Sequence, residues 1–300
     1  MSPLITLIVP FYQNLGSISA TLYSITKALQ FVNSESVELL FVNNNSSDGT
    51  ANAVSDYVAK VSGSILIHEK NQGVSHARNS GVGCAKGNYI AFLDADDELE
   101  ESFFSVILHA ISFKPDLIFC KHQFVDGEVP FEECSPKYLL DKDLSGWWNW
   151  QFIFKKSLAF DLNFEGGCFE DFGFFPIILA RTRNCVVLRQ HLYWYNENPL
   201  SLTKRSVHWR ISELEGQFNK LCLSSDELGV DIYKKVRRDF YEHISLLRAI
   251  AGYFPVLGLF DSLALIGLSG SFRGRFYSAG RLFKLNSSTL YRLLISLIMR

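Results

Sequence analysis

A short apolar strand pattern that stops abruptly at a group of carboxylates constrains this chain more than any other stretch. Residues Tyr89–Leu93 are apolar, aromatic or β-branched, and Gly87 precedes them. Runs of this kind are typical of a buried central strand in a parallel sheet. Three acids follow directly, Asp94, Asp96 and Asp97. Because ligands of open α/β sheets bind beyond the carboxyl ends of the strands, these acids are predicted to lie at a ligand site.

The spacing of these acids has two explanations. Carboxylates at a strand end suit Mg²⁺ or Mn²⁺, which bind few protein ligands and complete their coordination with phosphate oxygens and water. The same residues could instead begin a helix, because Asp97 is followed by Glu98, Glu100 and Glu101, and acids stabilise a helix N-terminus. The motif by itself leaves both explanations open.

The residues before this strand alternate between strand patterns and helix patterns. Strands are predicted at Leu4–Val9, Val37–Val42 and Ser64–His68, and each precedes a helical spacing of apolar residues, at 17–31, 50–61 and 74–84. Three successive strand–helix units predict an α/β fold, with a Rossmann-like, mostly parallel sheet and helices on both faces.

The pattern after residue 98 is less regular. The remaining elements are predicted, in chain order, as a strand at 116–120, a loop-rich segment at 121–144, an aromatic stretch at 147–154, a helix from Glu170 to about Arg183, strands at 186–188 and 192–195, a polar loop at 196–205 and helices beyond Val207.

Composition and local motifs argue against several classes of protein. With 48% hydrophobic residues among 300, the chain has enough apolar surface for a folded core. Its six cysteines contain no Cys-x-x-Cys pair, which indicates reduced thiols in the cytosol. The N-terminal residues lack the pattern of a signal peptide, so we expect an intracellular protein. The glycines at Gly81–Gly87 end a predicted helix, whereas those of a dinucleotide-binding loop begin one.

Four separated segments together resemble the family 2 glycosyltransferases, which have the GT-A fold. In chain order they are Ile8–Tyr12, Val42–Thr50, Asn71–Asn79 continuing into Gly87–Asp97, and Phe169–Asp171. The resemblance implies a catalytic domain at 1–206, with a nucleotide-binding half at about 1–98 and an acceptor-binding half at about 99–206, before a helical region at 207–300. It also implies a nucleotide-sugar donor, a glycan or lipid-linked glycan acceptor, and inversion at the anomeric carbon.

The same resemblance implies roles for individual residues. Pro10 and Tyr12 are expected to lie against the nucleobase, and Arg78 is expected to help close that pocket. Asp94 is expected to meet the ribose. Asp96 is expected to coordinate the Mg²⁺ or Mn²⁺ that bridges the diphosphate.

One departure from the family pattern concerns the nucleobase. Where the family commonly has one or two aspartates after the second strand, this chain has Asn43 and Asn44. The resemblance places both at the base edge, and an amide carbonyl can accept a hydrogen bond from the imide N–H of uracil or thymine, although the amide also donates. We expect a UDP-sugar, with the identity of the base left open.

The catalytic base is expected at the adjacent acids Glu170 and Asp171. An inverting transfer is a single displacement, so a carboxylate must take the proton of the acceptor hydroxyl while the nucleotide leaves. The resemblance places an acid of this role here, and we assign it to Asp171, with Glu170 orienting it or touching the acceptor. The alternative is structural, because adjacent acids also stabilise helix N-termini.

Aromatic residues offer a second surface for the acceptor. Trp147, Trp148 and Trp150 are close together, and tryptophan faces present large, rigid contact areas. We take Trp147 and Trp148 as candidates for stacking on the acceptor sugar, with packing in the core as the alternative.

The C-terminal region is basic. Residues 231–300 contain 11 Lys or Arg against 4 Asp or Glu, and no acid follows Asp261. Cations interleaved with apolar residues at 268–300 predict amphipathic helices on the anionic, cytoplasmic face of the cell membrane. A helical subdomain or an oligomer interface is the alternative, and no nucleic-acid partner is expected.

Two rival functions remain at this stage. A nucleotidyltransferase would share a nucleotide pocket and a metal-binding acid, but the chain lacks a glycine-rich, basic triphosphate loop after its first strand. A catalytically degenerate sugar-nucleotide-binding scaffold is suggested by Asn43 and Asn44. The presence of both Asp96 and Asp171 argues against the scaffold.

Overall fold

The computed structural model describes residues 2–120, 131–143, 147–198 and 206–250, and within them ten strands form two sheets. The strands are β1 (Ile5–Phe11), β2 (Val37–Asn43), β3 (Ser64–His68), β4 (Tyr89–Phe92), β5 (Glu98–Leu99), β6 (Leu117–Cys120), β7 (Phe131–Cys134), β8 (Phe152–Lys155), β9 (Cys185–Leu188) and β10 (Tyr193–Trp194). The larger sheet has the order β3-β2-β1-β4-β8-β6-β9-β7, and β5 pairs with β10 in an antiparallel ribbon.

The helices of the first half connect parallel strands. The helices are α1 (Ile18–Leu29), α2 (Thr50–Val58), α3 (Val74–Cys84), α4 (Phe103–Ser112), the single turn α5 (Pro136–Tyr138), α6 (Glu170–Arg181), α7 (Val207–Leu223) and α8 (Ser225–Ile250). Strands β1 to β4, joined by α1 to α3, run parallel. The predicted α/β fold with a mostly parallel sheet is therefore confirmed.

Two strands that the sequence patterns missed complete the sheet. β8 lies antiparallel between β4 and β6. It was not predicted because its apolar first residues continue the aromatic stretch at 147–154 without a recognisable start. β7 forms the edge, antiparallel to β9. Its residues Glu132 and Glu133 have the polar character of an edge strand, which explains why the prediction of a loop-rich segment at 121–144 was wrong here.

A helix does follow the acidic motif, but the motif does not cap it. Helix α4 begins at Phe103, with Ser102 at the N-cap position. Between Asp97 and that helix lies β5, which starts at Glu98. The explanation of the acids as a helix N-terminus is therefore wrong, because β5 separates Asp97 from α4.

The hydrophobic core extends along the sheet beneath α1 and α4. Every residue of β1, β2 and β4 is buried, as expected for strands that are covered on both faces. Ile18, Leu22 and Ile25 of α1 and Phe103 and Ile107 of α4 belong to the same core. Burying each such side chain stabilises the fold by roughly 1.5–3 kcal/mol, so the strand ends that carry the polar residues are held rigidly.

The glycines near α3 serve close packing. A Cβ atom at Gly81 would lie 2.4 Å from Cγ2 of Ile8, and one at Gly87 would lie 2.5 Å from the backbone nitrogen of Thr6. Both glycines therefore allow the end of α3 and the start of β4 to approach β1 closely. This packing role agrees with the argument against a dinucleotide-binding loop.

Helices follow Ser206, as the sequence predicts, and α8 bends at Gly229, where φ is 69° and ψ is 166°. A compact unit runs from the N-terminus to Phe240, and the predicted domain boundary after residue 206 falls inside it. Of the helices in the described ranges, none is both long and apolar enough to cross a bilayer. The predicted membrane-binding segment 268–300 lies outside the described residues.

Candidate active site

The carboxyl edge of the sheet brings together acids that are distant in the sequence. Asp94 follows β4, and Glu170 and Asp171 begin α6. The guanidinium of Arg78 in α3 lies between them. Its Nη2 is 3.0 Å from Asp94 Oδ1, and its Nη1 is 3.5 Å from Asp171 Oδ1 and also pairs with Glu170. One cation therefore faces three carboxylates.

Arg78 is buried among aromatic rings as well as acids. Its Cζ atom lies 5.9 Å from the ring centre of Phe92 and 5.7 Å from that of Phe164. A guanidinium suits this place because it is weakly hydrated, planar and always charged. We expected Arg78 to help close the nucleobase pocket, and the structure places its charge against the acids.

Asp171 is the more accessible of the two acids at the start of α6. Its side chain is 20% exposed, compared with 9% for Glu170. Burial raises the pKa of Asp171 well above its usual range; Arg78 opposes this shift, and the charges of Glu170 and Asp94 add to it. A raised pKa makes the ionised carboxylate a stronger base, which suits proton abstraction.

Asn149 is a residue of this site that the sequence analysis missed. It is buried, its Nδ2 donates to Asp94 Oδ1 at 3.2 Å, and its backbone N–H donates to Asp171 Oδ2 at 3.1 Å. It therefore connects the same two acids as Arg78. Its signal in the sequence is a single amide side chain within the aromatic run Trp147–Trp150.

The loop that precedes Glu170 and Asp171 is held from outside by α7. Glu213 Oε2 accepts hydrogen bonds from the backbone N–H groups of Gly167 at 2.8 Å and Cys168 at 3.3 Å. Gln217 Nε2 donates to the backbone oxygen of Glu165 at 2.6 Å. The loop ends at Phe169, whose φ of 60° is left-handed, a conformation that persists only where surrounding contacts stabilise it. The helical spacing of α7 gave no indication of this role.

Asp97 is a buried anchor of the acidic loop. Its Oδ2 accepts a hydrogen bond from Tyr193 Oη at 2.5 Å, and its Oδ1 accepts one from the backbone N–H of Asn196 at 2.8 Å. The preceding residue, Asp96, accepts a hydrogen bond from Asn198 Nδ2 at 2.6 Å. The segment after β10 therefore fixes the conformation of both acids.

The carboxyl of Asp97 is expected to make the protein less stable as the pH rises. Burial raises its pKa to about 7, and the charge of Asp94 adds to this shift. In the unfolded chain the group ionises near pH 4, so between about pH 4 and pH 7 the folded state binds more protons, and the free energy of unfolding falls with increasing pH. Urea unfolding from about pH 5 to pH 8 should show this loss, at roughly 1.4 kcal/mol per unit of pKa shift.

The matched variant is Asp97→Asn. Its amide can still accept from Asn196 and can donate to Tyr193 Oη, but it does not titrate. The decrease in unfolding free energy with pH should therefore be smaller in Asp97→Asn than in the wild type. Equal pH slopes for the two proteins would contradict this assignment.

The acids after β4 fit a divalent cation that takes most of its ligands from elsewhere. In the parts of the chain that the structure describes, no three His, Cys, Asp or Glu side chains form a metal-binding group. Burial raises the pKa of Asp96, and Asp94 adds to this, although Asn198 opposes it. A bound cation would relieve this repulsion, and Mg²⁺ commonly uses only one or two protein carboxylates beside phosphate oxygens. Asp96 therefore remains the predicted metal ligand.

The ends of β1 and β2 lie side by side at the same edge. Phe11 is paired with Asn43 in the sheet, and Tyr12, directly after β1, is 49% exposed. The side chain of Asn43 accepts from the backbone N–H of Ser46 at 2.9 Å and contacts His68 Nδ1 at 3.2 Å. Pro10 is buried within β1. Of the residues predicted for the nucleobase, Tyr12 thus presents the most accessible surface.

Asn44 binds the loop that leads into α3. Its Nδ2 donates to the backbone oxygen of Asn71 at 2.7 Å, and its Oδ1 accepts from the backbone N–H of Gly73 at 2.7 Å and from Gln72 Nε2 at 3.2 Å. These bonds give the amide a structural use. Both an acceptor and a donor are needed for it, so an aspartate here could not replace it without losing a hydrogen bond.

The three tryptophans have different environments. Trp147 is 6% exposed, and its Nε1 donates to Asp239 Oδ2 at 2.9 Å, which favours the core-packing alternative for this ring. Trp148 is 45% exposed and stacks on Trp150, with ring centres 5.9 Å apart. Trp150 stacks in turn on Tyr193 at 5.0 Å. Trp148 is therefore the accessible end of an aromatic column that reaches Tyr193, the partner of Asp97.

Known proteins with a similar fold include two solved glycosyltransferase structures. TarS of S. aureus, residues 1–349 in complex with UDP, superposes with a TM-score of 0.64 at 18% identity, covering 88% of this chain and 79% of that chain. The mannosyltransferase PcManGT from Pyrobaculum calidifontis, in complex with GDP-Man and Mn²⁺, has a TM-score of 0.62 at 17% identity, covering 100% of this chain and 85% of that one. The likeness shows a shared GT-A fold.

The sequence comparisons identify the family. The chain is 25% identical over 226 residues to the uncharacterized glycosyltransferase EpsJ of Bacillus subtilis (strain 168), an alignment that covers 68% of this chain and 64% of EpsJ. The chain thus spans less than two thirds of this relative's length. The family model for glycosyl transferase family 2 matches residues 6–176, which include Arg78, Asp94, Asp96 and Asp171. Since this match covers more than half of its length, the chain belongs to glycosyl transferase family 2.

Proposed function

We propose that the protein transfers a hexosyl or N-acetylhexosaminyl group from a UDP-sugar to a hydroxyl of a glycan or lipid-linked glycan, with inversion at the anomeric carbon. The observation that carries this proposal is the pair of bridges between Asp94 and Asp171. Arg78 contacts both acids, and Asn149 donates a hydrogen bond to each. The acid expected at the donor ribose and the acid expected at the acceptor are thereby held in one rigid arrangement.

Asp171 is the general base in this mechanism. Its carboxylate takes the proton of the acceptor hydroxyl as that oxygen bonds to the anomeric carbon. The bond from the anomeric carbon to the diphosphate oxygen breaks in the same step, and its electron pair leaves with UDP. Because Arg78 and the backbone N–H of Asn149 orient the carboxylate before substrate binds, little reorganisation is needed during the reaction.

Asp96 is the residue that would hold Mg²⁺ or Mn²⁺ beside Asp94. The bound cation would supply positive charge to the leaving diphosphate. The complex of PcManGT with GDP-Man and Mn²⁺ supports a divalent cation in this fold. Arg78 is committed to the acids by its contacts, so its charge balances the site when the donor is absent.

The donor base and the acceptor would occupy the two sides of this network. The exposed ring of Tyr12, with Pro10 behind it, would lie against the base, and Asn43 and Asn44 would shape the edge of that pocket. UDP is bound by TarS and GDP-Man by PcManGT, and we propose UDP because an amide carbonyl can accept from the uracil imide. On the acceptor side, Trp148 would provide the stacking face.

The second candidate function is a sugar-nucleotide-binding scaffold without turnover. It is favoured by the hydrogen bonds that engage Asn43 and Asn44 within the protein. Incubation of the protein with UDP-sugars, Mn²⁺ and glycan acceptors separates the two, with UDP release and a new glycosidic product as readouts. Acceptor-dependent product supports the transferase, and tight UDP-sugar binding without product supports the scaffold.

Loss of Asp96 is expected to remove the metal dependence of nucleotide binding. In the wild type, UDP with Mn²⁺ should raise the melting temperature more than UDP with EDTA, since a ligand that binds only the folded state stabilises it by mass action. In Asp96→Ala the two shifts should become equal. The matched control is Asp56→Ala, which removes an acid from α2, away from the carboxyl edge, and should preserve the difference. Equal shifts in the wild type would contradict a metal site at Asp96.

We place the protein in the cytoplasm, on the inner face of the cell membrane, as part of the same proposal. The support for this comes from the basic, apolar pattern of residues 268–300. An oligomer interface is the alternative role for this segment.

A further inference from the structure

A large cleft lies at the amino-terminal edge of the sheet, opposite to the acids. Its volume is about 1120 Å³, and it is lined by the start of β4, the end of α4 and the segment that follows β8. Tyr89, the first residue of β4, pairs with Lys155, the last residue of the antiparallel β8. Asp94 is five positions beyond Tyr89, and a strand rises about 3.3 Å per residue. The cleft and the proposed active site are therefore separate.

The cleft is positively charged. Four lysines line it, Lys86, Lys114, Lys155 and Lys156, and none of the lining residues is an acid. Lys155 is balanced by Asp116, with Nζ 2.7 Å from Oδ1. Lys156 Nζ donates to the backbone oxygen of Ala85, and no carboxylate of the described part of the chain forms an ion pair with it. Concave, low-dielectric walls with one sign of charge concentrate the field on an incoming anion.

Two of these lysines are available to a ligand. Lys86 and Lys114 are exposed, and within the described residues neither ammonium has a carboxylate partner. Their side chains reach the cleft from the end of α3 and from the turn before β6. An anionic group at either ammonium would gain charge-assisted hydrogen bonds without displacing an existing ion pair.

The rest of the lining is mainly apolar. Leu4, Val82, Leu108, Ile111 and Leu162 contribute aliphatic side chains to it. Phe160 also lines the cleft, and its side chain is 84% exposed. Exposed apolar surface combined with a few converging polar groups is typical of a small-molecule site. A free inorganic anion would leave this surface in water, and a neutral lipid would leave the lysines without a partner.

We propose that this cleft binds a lipid phosphate, with the phosphate at Lys86 and Lys114 and the hydrocarbon chain against the apolar walls and Phe160. The ligand is a single amphipathic molecule, and its site is independent of sugar transfer. Lipid phosphate binding can therefore be tested without measuring sugar transfer.

Three probes test the two parts of the ligand by isothermal titration calorimetry. Decyl phosphate, used below its micelle concentration, carries both parts; inorganic phosphate carries only the charge, and decyl maltoside carries only the chain. Decyl phosphate is expected to bind roughly tenfold or more tightly than either of the others, because charge and apolar burial contribute together. Equally tight binding of inorganic phosphate would overturn the proposal in favour of a simple anion site, and equally tight binding of decyl maltoside would overturn it in favour of an apolar surface.

Variants of the full chain locate the site. Lys86→Ala combined with Lys114→Ala should weaken decyl phosphate binding roughly ten- to thirtyfold, since each cation near a lipid phosphate contributes about 1 kcal/mol. Lys60→Ala combined with Lys234→Ala removes the same charge from exposed positions elsewhere and should have little effect. Phe160→Ala should weaken decyl phosphate binding and leave inorganic phosphate unchanged. An equal loss in the Lys60 and Lys234 control, with all variants folded by thermal unfolding, would overturn the assignment.

Discussion

Asp171→Asn is expected to keep nucleotide-sugar binding and to reduce sugar transfer by about two to four orders of magnitude, the usual worth of a general base. The substitution keeps the shape of the side chain, and its carbonyl oxygen can still accept the hydrogen bond from the backbone N–H of Asn149. It removes the basicity that the proposed mechanism requires for taking the acceptor proton. The expected result is therefore a low kcat, with the UDP-induced shift in melting temperature unchanged.

Glu170→Gln is the matched control for this prediction. Glu170 lies next to Asp171 in α6 and also contacts Arg78, but its side chain is the more buried of the two. We expect a smaller loss of transfer, caused by a weaker ion pair with Arg78. If Glu170→Gln abolishes transfer and Asp171→Asn turns over at nearly the wild-type rate, the base is Glu170.

Arg78→Met is expected to lower the free energy of unfolding by about 3–5 kcal/mol, because it leaves buried carboxylates without their partner. Methionine fills a similar volume and keeps contact with the rings of Phe92 and Phe164, so the loss reports the charge. The difference from the wild type should become smaller at low pH, because burial raises the pKa of Asp171 and its protonated form no longer needs a cationic partner. Urea unfolding at neutral pH and at about pH 4.5 measures both effects.

Two further variants make the test of Arg78 specific. Arg78→Lys keeps the charge, but a single ammonium cannot reproduce the planar fork that reaches Asp94 on one side and Glu170 on the other, so an intermediate loss is expected. Arg183→Met removes an exposed arginine after α6 and should change stability by no more than about 0.5 kcal/mol. Equal stabilities of Arg78→Met and the wild type would contradict a stabilising role for the charge of Arg78.

The sequence predicted the part of the fold that local patterns control. Strands β1 to β4 and helices α1 to α3 follow from apolar runs and helical spacing, and the acids after β4 follow from the strand that delivers them. β7 and β8 were missed because their positions depend on pairing with strands distant in sequence. β7 is an edge strand, where polar side chains such as Glu132 and Glu133 are tolerated, so its sequence lacks the apolar pattern of a buried strand.

The sequence analysis singled out the acids of the candidate site, but it missed the residues that hold those acids in place. Asp94 and Asp96 were singled out by their position after a strand, and Asp171 by the resemblance to the family. Asn149 and Glu213 act through backbone contacts that no local pattern encodes. Arg78 was singled out, yet its partners depend on how α3 and α6 meet across the sheet. For Trp147 and Trp148 the sequence left open a surface or a core position. In the structure Trp147 is buried and Trp148 is exposed.

The contacts of Glu213 and Gln217 mean that the supports of the proposed active site extend beyond the residues that the family model matches. The match stops at residue 176, yet the loop that sets the direction of Asp171 is fastened by a helix that begins at Val207. A fragment cut at either 176 or 206 would contain Asp94, Asp96, Glu170 and Asp171 and would lose the hydrogen bonds that α7 makes to the loop before Glu170. Exchanging this helix between relatives is therefore expected to change the rate of the proposed transfer, even though no residue of the helix needs to touch a sugar.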